Sequence, residues 1–274
     1  MKPMLFLHGI TLSFGGLSVI DNLDIQVKQG SRCGLIGPNG AGKTTIFNLL
    51  SGIYRATAGE ILLDDEPIDD VPLDRRINFG IGRTFQNLRL MKHLTVLENI
   101  MLGQHWLVGP WRRIFAPLGS SFNRSYRAEA MRAAEALGLG DDIDRLAEGL
   151  SYGVQKRIEV ARALVAQPRL LLLDEPAAGL NSTERAELAN ILAFSLPSDM
   201  TVLIVEHDTE FVKTLCDHAV ALNFGRKIAE GDPAAVCNDP AVIEAYLGKD
   251  ELGDAGLLSS TTSDLMTNRS NNAA

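Results

Sequence analysis

The sequence predicts an α/β fold in which helices pack on a largely parallel β-sheet. Two unbroken apolar runs, LLLL at 170–173 and VLIV at 202–205, lie between turn signals, as strands buried on both faces do. A third apolar run, Arg32–Ile36, leads into a glycine-rich segment. Helical patterns separate these runs, and strands that alternate with helices pair in parallel within one sheet.

The glycine-rich segment, GPNGAGKTT at 37–45, matches the phosphate-binding pattern G-x-x-x-x-G-K-[ST]. A strand precedes it and apolar residues at helical spacing follow it, a context that a chance glycine-rich turn does not explain. Glycines let backbone N–H groups approach phosphate oxygens, the helix N-terminus and Lys43 add positive charge, and Thr44 offers a hydroxyl to Mg²⁺. We therefore expect a nucleoside triphosphate to bind through Gly37, Pro38, Asn39, Gly40, Ala41, Gly42, Lys43, Thr44 and Thr45.

The composition limits the class of partner and the compartment. A net charge of −8 and a pI near 5.2 argue against a nucleic-acid-binding protein that relies on basic charge. No apolar run approaches the roughly eighteen residues of a membrane span, and the N-terminus has no signal-peptide pattern. The three cysteines are far apart and have neither metal-binding nor redox spacing. We expect a cytosolic protein.

The regions on either side of the glycine-rich segment read as β-structure. Residues 5–29 predict two strands with a turn at 14–16, and residues 60–68 predict a strand with Asp64 and Asp65 at a bend. These aspartates are typical of solvated turns rather than of a metal site. Phe14, taken alone, is expected to pack in the core. A further strand-like stretch covers 79–85.

Helical patterns occupy much of the remaining chain. Residues 125–137 predict a helix that ends at Gly138, and residues 156–166 predict one that ends at Pro168. Two other helix starts carry the residues of a capping box, Thr95 with Glu98 and Asn181 with Glu184.

Asp174 and Glu175 follow the apolar run at 170–173, and His207 follows the run at 202–205 in the same manner. Ligand and catalytic sites of open α/β sheets collect at such carboxyl ends of strands. Adjacent residues of a strand point in opposite directions, so the two carboxylates can take separate tasks in one site only if the chain turns there. Pro176 supports such a turn.

Five motifs now stand in a fixed order: GPNGAGKTT, a glutamine at 86, LSYGVQKR at 150–157, LLLLDEP at 170–176, and a histidine after VLIVE. In this order they resemble the ATP-binding cassette (ABC) ATPases over residues 5 to about 247. Within that family the chain is most similar to the ATP-binding subunits of branched-chain amino acid importers. The stretches GRTFQN, LTVLENI, LLLDEPAAGLN and GDPAAVCNDPAVIEAYLG carry this likeness, as does an insertion near 104–127.

The resemblance implies an α/β fold of the ABC ATPase (P-loop NTPase) type, with an antiparallel β subdomain and a helical subdomain beside the core. The ATPase domain would cover residues 1–248, with the helical subdomain at roughly 88–165. The tail at 249–274 is poor in apolar residues and predicts disorder.

The resemblance also implies a role for each matching residue. Phe14 takes the aromatic position that stacks on adenine, in place of the core position expected from the residue alone. Gln86 would sense the γ-phosphate through Mg²⁺ and the attacking water, and Asp174 would organise Mg²⁺. Glu175 would be the catalytic base and His207 the switch histidine. With Gln86 and the phosphate-binding Lys43, they would form the catalytic set.

The signature segment at 150–154 departs from the family pattern. In the family it reads LSGGQ and faces ATP on the opposite subunit, whereas here it reads LSYGV. Ser151 and Gly153 remain and are expected to contact phosphate. Asn181 stands where the family often has an aspartate. These departures leave the strength of coupling across a dimer open.

The function implied is that of an ATPase subunit which binds ATP and Mg²⁺ between two such subunits and powers import across a membrane. The implied partners are a second ABC ATPase subunit, identical or not, integral membrane permease subunits and, indirectly, an extracytoplasmic solute-binding protein, with no nucleic acid. The implied location is the cytoplasmic face of the inner membrane, as a peripheral subunit. The identity of the transported solute stays open, because the solute does not contact this subunit.

Two other functions compete with this one. Soluble ABC proteins that act on ribosomes or DNA typically carry two cassettes or a long coiled coil, whereas this chain has one phosphate-binding loop and no heptad run. ATPases of other transport systems, for urea or amide import or for lipid or lipopolysaccharide export, share most of the motifs. The export systems fit less well at the insertion.

The segment 104–132 has an unusual charge, with five arginines against one glutamate, a net +4 in an acidic protein. It also carries several aromatic residues. One interpretation is a solvated helix pair with a small core. The interpretation that we favour is a surface that docks the membrane subunits near anionic headgroups.

Overall fold

The structure is a computed structural model that describes residues 2–84, 89–104 and 121–247. Its strands are β1 (Pro3–Phe14), β2 (Leu17–Lys28), β3 (Arg32–Ile36), β4 (Ala58–Leu63), β5 (Glu66–Pro67), β6 (Ile81–Arg83), β7 (Leu170–Asp174), β8 (Thr201–Val205), β9 (His218–Asn223) and β10 (Arg226–Gly231). Its helices are α1 (Lys43–Leu50), α2 (Leu73–Arg76), α3 (Val96–Met101), α4 (Ser121–Ala136), α5 (Tyr152–Leu164), α6 (Ser182–Ser195), α7 (Thr209–Leu215), α8 (Pro233–Cys237) and α9 (Pro240–Leu247).

The larger sheet has the strand order β10-β9-β3-β8-β7-β6, and all neighbours are parallel except β9 and β10. Every residue of β7 and β8 is buried, as the two apolar runs predict. Leu172 packs on the side of α1, whereas Leu171 packs on the side of α5 and α6. The predicted α/β fold around a largely parallel sheet is therefore confirmed.

The smaller sheet is antiparallel, with the order β2-β1-β4-β5. Its β1–β2 turn lies at Gly15 and Gly16, as predicted. Asp64 and Asp65 make the β4–β5 turn with φ of 53° and 65°. Asp65 is exposed and Asp64 is partly exposed, as expected of solvated turn residues. The Asp64 carboxylate also pairs with Arg169 and lies 2.9 Å from Lys2 Nζ.

The helices begin and end close to the predicted positions, with two corrections. The first predicted helix already begins at Ser121, although it ends before Gly138, which has a φ of 64°. The second is displaced towards the N-terminus, because Ser151 caps it, and it ends at Leu164. Both capping boxes are present.

One strand also differs from its prediction: the strand expected at 79–85 is reduced to Ile81–Arg83. Residues 77–79 form a 3-10 turn instead, and Gly80 leaves it with a φ of 82°. A Cβ at Gly80 would lie 2.8 Å from the Arg169 side chain, so this turn favours glycine. Residue 85 lies outside the described ranges. Among the described helices, none is both long and apolar enough to cross a membrane.

Candidate nucleotide-binding and hydrolysis site

The phosphate-binding loop connects β3 to α1, and its glycines are required by the backbone. Gly37 and Gly42 have φ of 145° and 105°. A Cβ at Gly37 would lie 2.2 Å from the Leu222 carbonyl oxygen, and one at Gly42 would lie 2.6 Å from Ile20 Cδ1. Gly40 also has a positive φ, but nothing lies within 4 Å of its hypothetical Cβ. The loop therefore packs closely against the rest of the protein at Gly37 and Gly42, whereas Gly40 between them faces open space.

Lys43, the first residue of α1, lies inside this loop. Its side chain is buried, and Nζ donates to the carbonyl oxygens of Gly37 at 2.5 Å and Pro38 at 2.9 Å. Thr44 is exposed beside it. A cation held within a glycine-rich turn at a helix N-terminus is the chemistry that binds a polyphosphate, so these residues fit ATP.

Strand register brings the other predicted groups to the same edge of the sheet. Leu35 of β3 and Asp174 of β7 both pair with Val205 of β8. Glu175 and His207 therefore emerge beside the phosphate-binding loop. Sites in open α/β sheets collect at this edge.

Glu175 turns out of the strand as the sequence requires. Its φ is +47°, and its N–H donates to the Val205 carbonyl at 2.9 Å. His207 Nε2 lies 2.7 Å from Glu175 Oε1. Lys156 of α5 is buried, and its Nζ donates to the Glu175 carbonyl at 3.4 Å. Both the side chain and the backbone of Glu175 are thus held by hydrogen bonds.

Asp174 stays in the strand and is only 3% exposed. Burial raises the pKa of its carboxyl, and the hydrogen bond from Arg83 opposes that shift. The Arg83 guanidinium lies 2.7 Å from Asp174 Oδ2 and also donates to Asn48 Oδ1 and Ser51 Oγ. Asp174 and Thr44 supply the oxygen donors that Mg²⁺ prefers, so the residues present fit this ion.

Glu206 is a buried carboxylate that the sequence motifs do not identify. It accepts hydrogen bonds from the N–H groups of Ala177 at 2.7 Å and His207 at 3.1 Å. Burial raises the pKa of its carboxyl, while these bonds lower it. Glu206 thereby joins the loop after Glu175 to the loop that carries His207. The only signal for it in the sequence is an acidic residue directly after an apolar strand.

The signature segment forms the N-terminus of α5. Ser151 is exposed and caps this helix, its Oγ accepting from the Val154 N–H at 3.4 Å. The Tyr152 ring covers Gly179, where a Cβ would lie 3.0 Å from the ring, and Lys156 Nζ lies 5.7 Å from the ring centroid. Asn181 caps α6 through a capping box. Tyr152 and Asn181, which both depart from the family pattern, thus have structural partners within the same chain.

Phe14 does not pack in the core, so the expectation from the residue alone is wrong. Its side chain is 47% exposed at the β1–β2 turn. Tyr54 meets it edge-on, with the ring centroids 5.2 Å apart at an angle of 71°. Tyr54 was not identified from the sequence, since it lies 40 residues from Phe14 (54 − 14) in a different loop. Gln86 lies outside the described residues.

Comparisons with known proteins place the chain in a family. A family model for ABC transporters matches residues 20–178, more than half of the chain, and one for branched-chain amino acid ATP-binding cassette transporters matches residues 226–251. The chain is 40% identical to BraF of Pseudomonas aeruginosa and to LivG of Escherichia coli K12, both high-affinity branched-chain amino acid transport ATP-binding proteins. Each alignment covers 90% of this chain and 99% of the relative. The lipopolysaccharide export ATP-binding protein LptB of Haemophilus influenzae is 33% identical, over 88% of this chain and 96% of LptB.

Solved structures agree with the sequence comparisons. The ADP conformation of the ATP-binding cassette MJ1267 superposes with a TM-score of 0.78 at 31% identity, covering 90% of this chain and all of that one. The dimer of the cassette MJ0796 bound to ADP and Pi gives a TM-score of 0.68 at 25% identity, covering 84% of this chain and 99% of that one. By sequence and by fold, the chain belongs to the ABC transporter family and is an ATP-binding, ATP-hydrolysing subunit of that family.

Proposed function

We propose that this chain is the ATPase subunit of an importer for branched-chain or other amino acids. The observation that carries the proposal is the 40% identity to BraF and LivG along nearly their whole length, joined by the match at 226–251. The lower identity to LptB gives less support to lipopolysaccharide export.

The roles proposed for the site combine the contacts described above with the family resemblance, and the role of Gln86 rests on the resemblance alone. The loop amides, Lys43 and Thr44 bind the phosphates, and Phe14 stacks on adenine. Mg²⁺, held by Thr44, Gln86 and Asp174, would neutralise charge on the transferring phosphate. Glu175 orients the attacking water and accepts its proton, while His207 fixes the Glu175 carboxylate through the 2.7 Å contact.

We further propose that two subunits close on ATP, with the signature residues Ser151 and Gly153 of one facing the nucleotide of the other. The exposed Ser151 at the N-terminus of a 13-residue helix supports this role. The solved MJ0796 cassette bound to ADP and Pi is a dimer, which supports the pairing of two subunits. The second subunit can be an identical or a related chain.

Transport requires permease subunits, and we propose that this chain binds them at the cytoplasmic face of the inner membrane. A groove of about 460 Å³ lies between the edge strand β6 and the helices that follow it, lined by Arg83, Arg89, Leu102, Glu159 and Arg162. An edge strand beside a mixed charged and apolar groove favours a protein partner.

The import proposal is tested by reconstituting the chain with permease subunits and a solute-binding protein in liposomes. We expect ATP-dependent uptake of leucine, isoleucine or valine, and loss of that uptake with Lys43→Ala. Uptake of a different class of solute would assign the chain to another importer. Assembly with an exporter instead would contradict the proposal.

The arginines of the 104–132 segment test the docking surface. Arg124 and Arg127 are exposed on α4, whereas residues 105–120, which include Arg112 and Arg113, lie outside the described ranges. Replacing all four by Ser should leave ATP binding intact and reduce permease recovery on co-purification at least about tenfold. Each charge near anionic headgroups contributes roughly 1 kcal/mol, and the four together exceed the roughly 1.4 kcal/mol of a tenfold change in affinity.

A charge-matched control removes four exposed arginines elsewhere, Arg55, Arg75, Arg145 and Arg226. Permease recovery should then stay at the wild-type value. Equal recovery with both sets of substitutions would show that the arginines of 104–132 do not dock the permease.

A further inference from the structure

The last described helix reaches back to the phosphate-binding loop. The Tyr246 hydroxyl of α9 accepts a hydrogen bond from the Gly37 N–H at 2.9 Å. The two residues are 209 positions apart in the chain. The contact therefore belongs to the tertiary structure and joins the C-terminal segment to the start of the proposed ATP site.

Gly37 is held on three sides. Its N–H donates to Tyr246, its carbonyl accepts from Lys43 Nζ at 2.5 Å, and its Cα faces the Leu222 carbonyl so closely that no Cβ fits. The φ of 145° is accessible to glycine and strained for other residues. The position of Gly37 thus sets the position of a carbonyl oxygen that binds the Lys43 ammonium.

The tyrosine itself is firmly placed. Val242 of α9 is buried in a small core with Val236, Ala219 and Ala221, and the Tyr246 ring packs against that core. Burial raises the pKa of the Tyr246 phenol, so it stays neutral near pH 7. The acceptor for the Gly37 N–H is therefore built into the fold.

Packing alone does not hold the loop against α9. A cleft of about 420 Å³ lies between them, lined on one side by Pro38 and Asn39 and on the other by Ala241 and Glu244. Where such a space separates two segments, few van der Waals contacts replace a lost hydrogen bond. The Tyr246 hydroxyl consequently has a large share in fixing the loop.

We infer that Tyr246 is a positioning residue of the ATP site, which acts through Gly37 on Lys43 and couples nucleotide binding to the C-terminal helix. The inference rests on the proposed role of residues 37–45 in binding ATP. Because coupling is reciprocal, nucleotide bound at the loop must in turn stabilise α9.

The test is Tyr246→Phe in the full chain, which keeps the ring and its packing but removes the acceptor. We expect the dissociation constant of ATP to rise about three- to tenfold, with a smaller change in kcat, since a backbone N–H left unpaired weakens the loop. In the wild type, ATP should slow amide hydrogen exchange at 240–247, and in the variant this protection should be lost.

A pair of truncations provides the matched control. A chain that ends after Lys249 keeps Tyr246 and should bind ATP as the wild type does, whereas one that ends after Ala245 should bind as weakly as Tyr246→Phe or more weakly. A lower melting temperature of Tyr246→Phe with unchanged ATP affinity and unchanged protection would reduce the tyrosine to a structural role and overturn the inference. If Lys43→Ala bound ATP as well as the wild type, the proposed ATP site itself would be wrong.

Discussion

Replacing Glu175 with Gln is expected to stop nearly all ATP turnover while leaving ATP binding in place. Glutamine has the same shape and keeps a carbonyl oxygen for the 2.7 Å contact with His207. It cannot accept the proton of the attacking water. Loss of one preorganised catalytic group lowers turnover by roughly 10²–10³-fold. ATP hydrolysis and nucleotide affinity would be measured on the assembled transporter.

The control for this substitution is Glu187→Gln, an exposed glutamate of α6. It makes the same change of charge away from the site and should leave turnover unchanged. If Glu175→Gln hydrolysed ATP within a few-fold of the wild type, another group would have to act as the base. The buried Glu206, which holds the loop that begins after Glu175, would then be the next carboxylate to test.

The sequence predicts those parts of the site that depend on local pattern. The phosphate-binding loop can be recognised from its own glycines, and the two all-buried strands are visible as apolar runs. Both capping boxes are also local, because Thr95 with Glu98 and Asn181 with Glu184 are three residues apart (98 − 95 and 184 − 181).

The parts that could not be predicted depend on strand order and register. Arg83 contacts Asp174, 91 residues away in the chain, because β6 lies beside β7. His207 contacts Glu175, 32 residues away, because β8 also lies beside β7. The sequence pattern predicts where each strand lies in the chain, but it does not predict which strands are neighbours in the sheet. A salt bridge between adjacent strands, or a buried lysine such as Lys156, therefore becomes visible only in the folded chain.

Phe14 shows how a local prediction fails. An aromatic residue in an apolar strand is more often buried than exposed. Here the residue lies at the end of β1, next to a two-glycine turn, where the strand extends beyond the core. The family resemblance, which implies an aromatic residue against adenine at this position, predicts an exposed Phe14, whereas hydrophobicity alone does not.

Replacing Ser151 with Ala is expected to weaken ATP-driven closure of the dimer about ten- to hundredfold. The proposed contact is a hydroxyl donating to a charged phosphate oxygen, which contributes about 1.5–3 kcal/mol. Ser151 also caps α5, however, and loss of a cap destabilises a helix by about 1 kcal/mol. The two effects must be separated before the loss is assigned to phosphate recognition.

Two further substitutions at Ser151 separate them. Thr keeps both the cap and the hydroxyl, so closure should stay near the wild-type value. Asp keeps the cap but places a negative charge against the phosphates, so closure should fall at least as far as with Ala although the melting temperature is retained. If Asp closed like the wild type, the serine would act only as a helix cap.

The unusual Val154 completes the test of this segment. Its N–H is oriented by the helix whatever the side chain, so Val154→Gln, which restores the residue common in the family, should change activity only a few-fold. ATPase rate and solute uptake would be measured in the reconstituted complex for both positions. A large gain from Val154→Gln, with no loss from Ser151→Ala, would mean that the side chain at 154 governs recognition. The backbone amides at the start of α5 would then be insufficient to bind the nucleotide of the partner subunit.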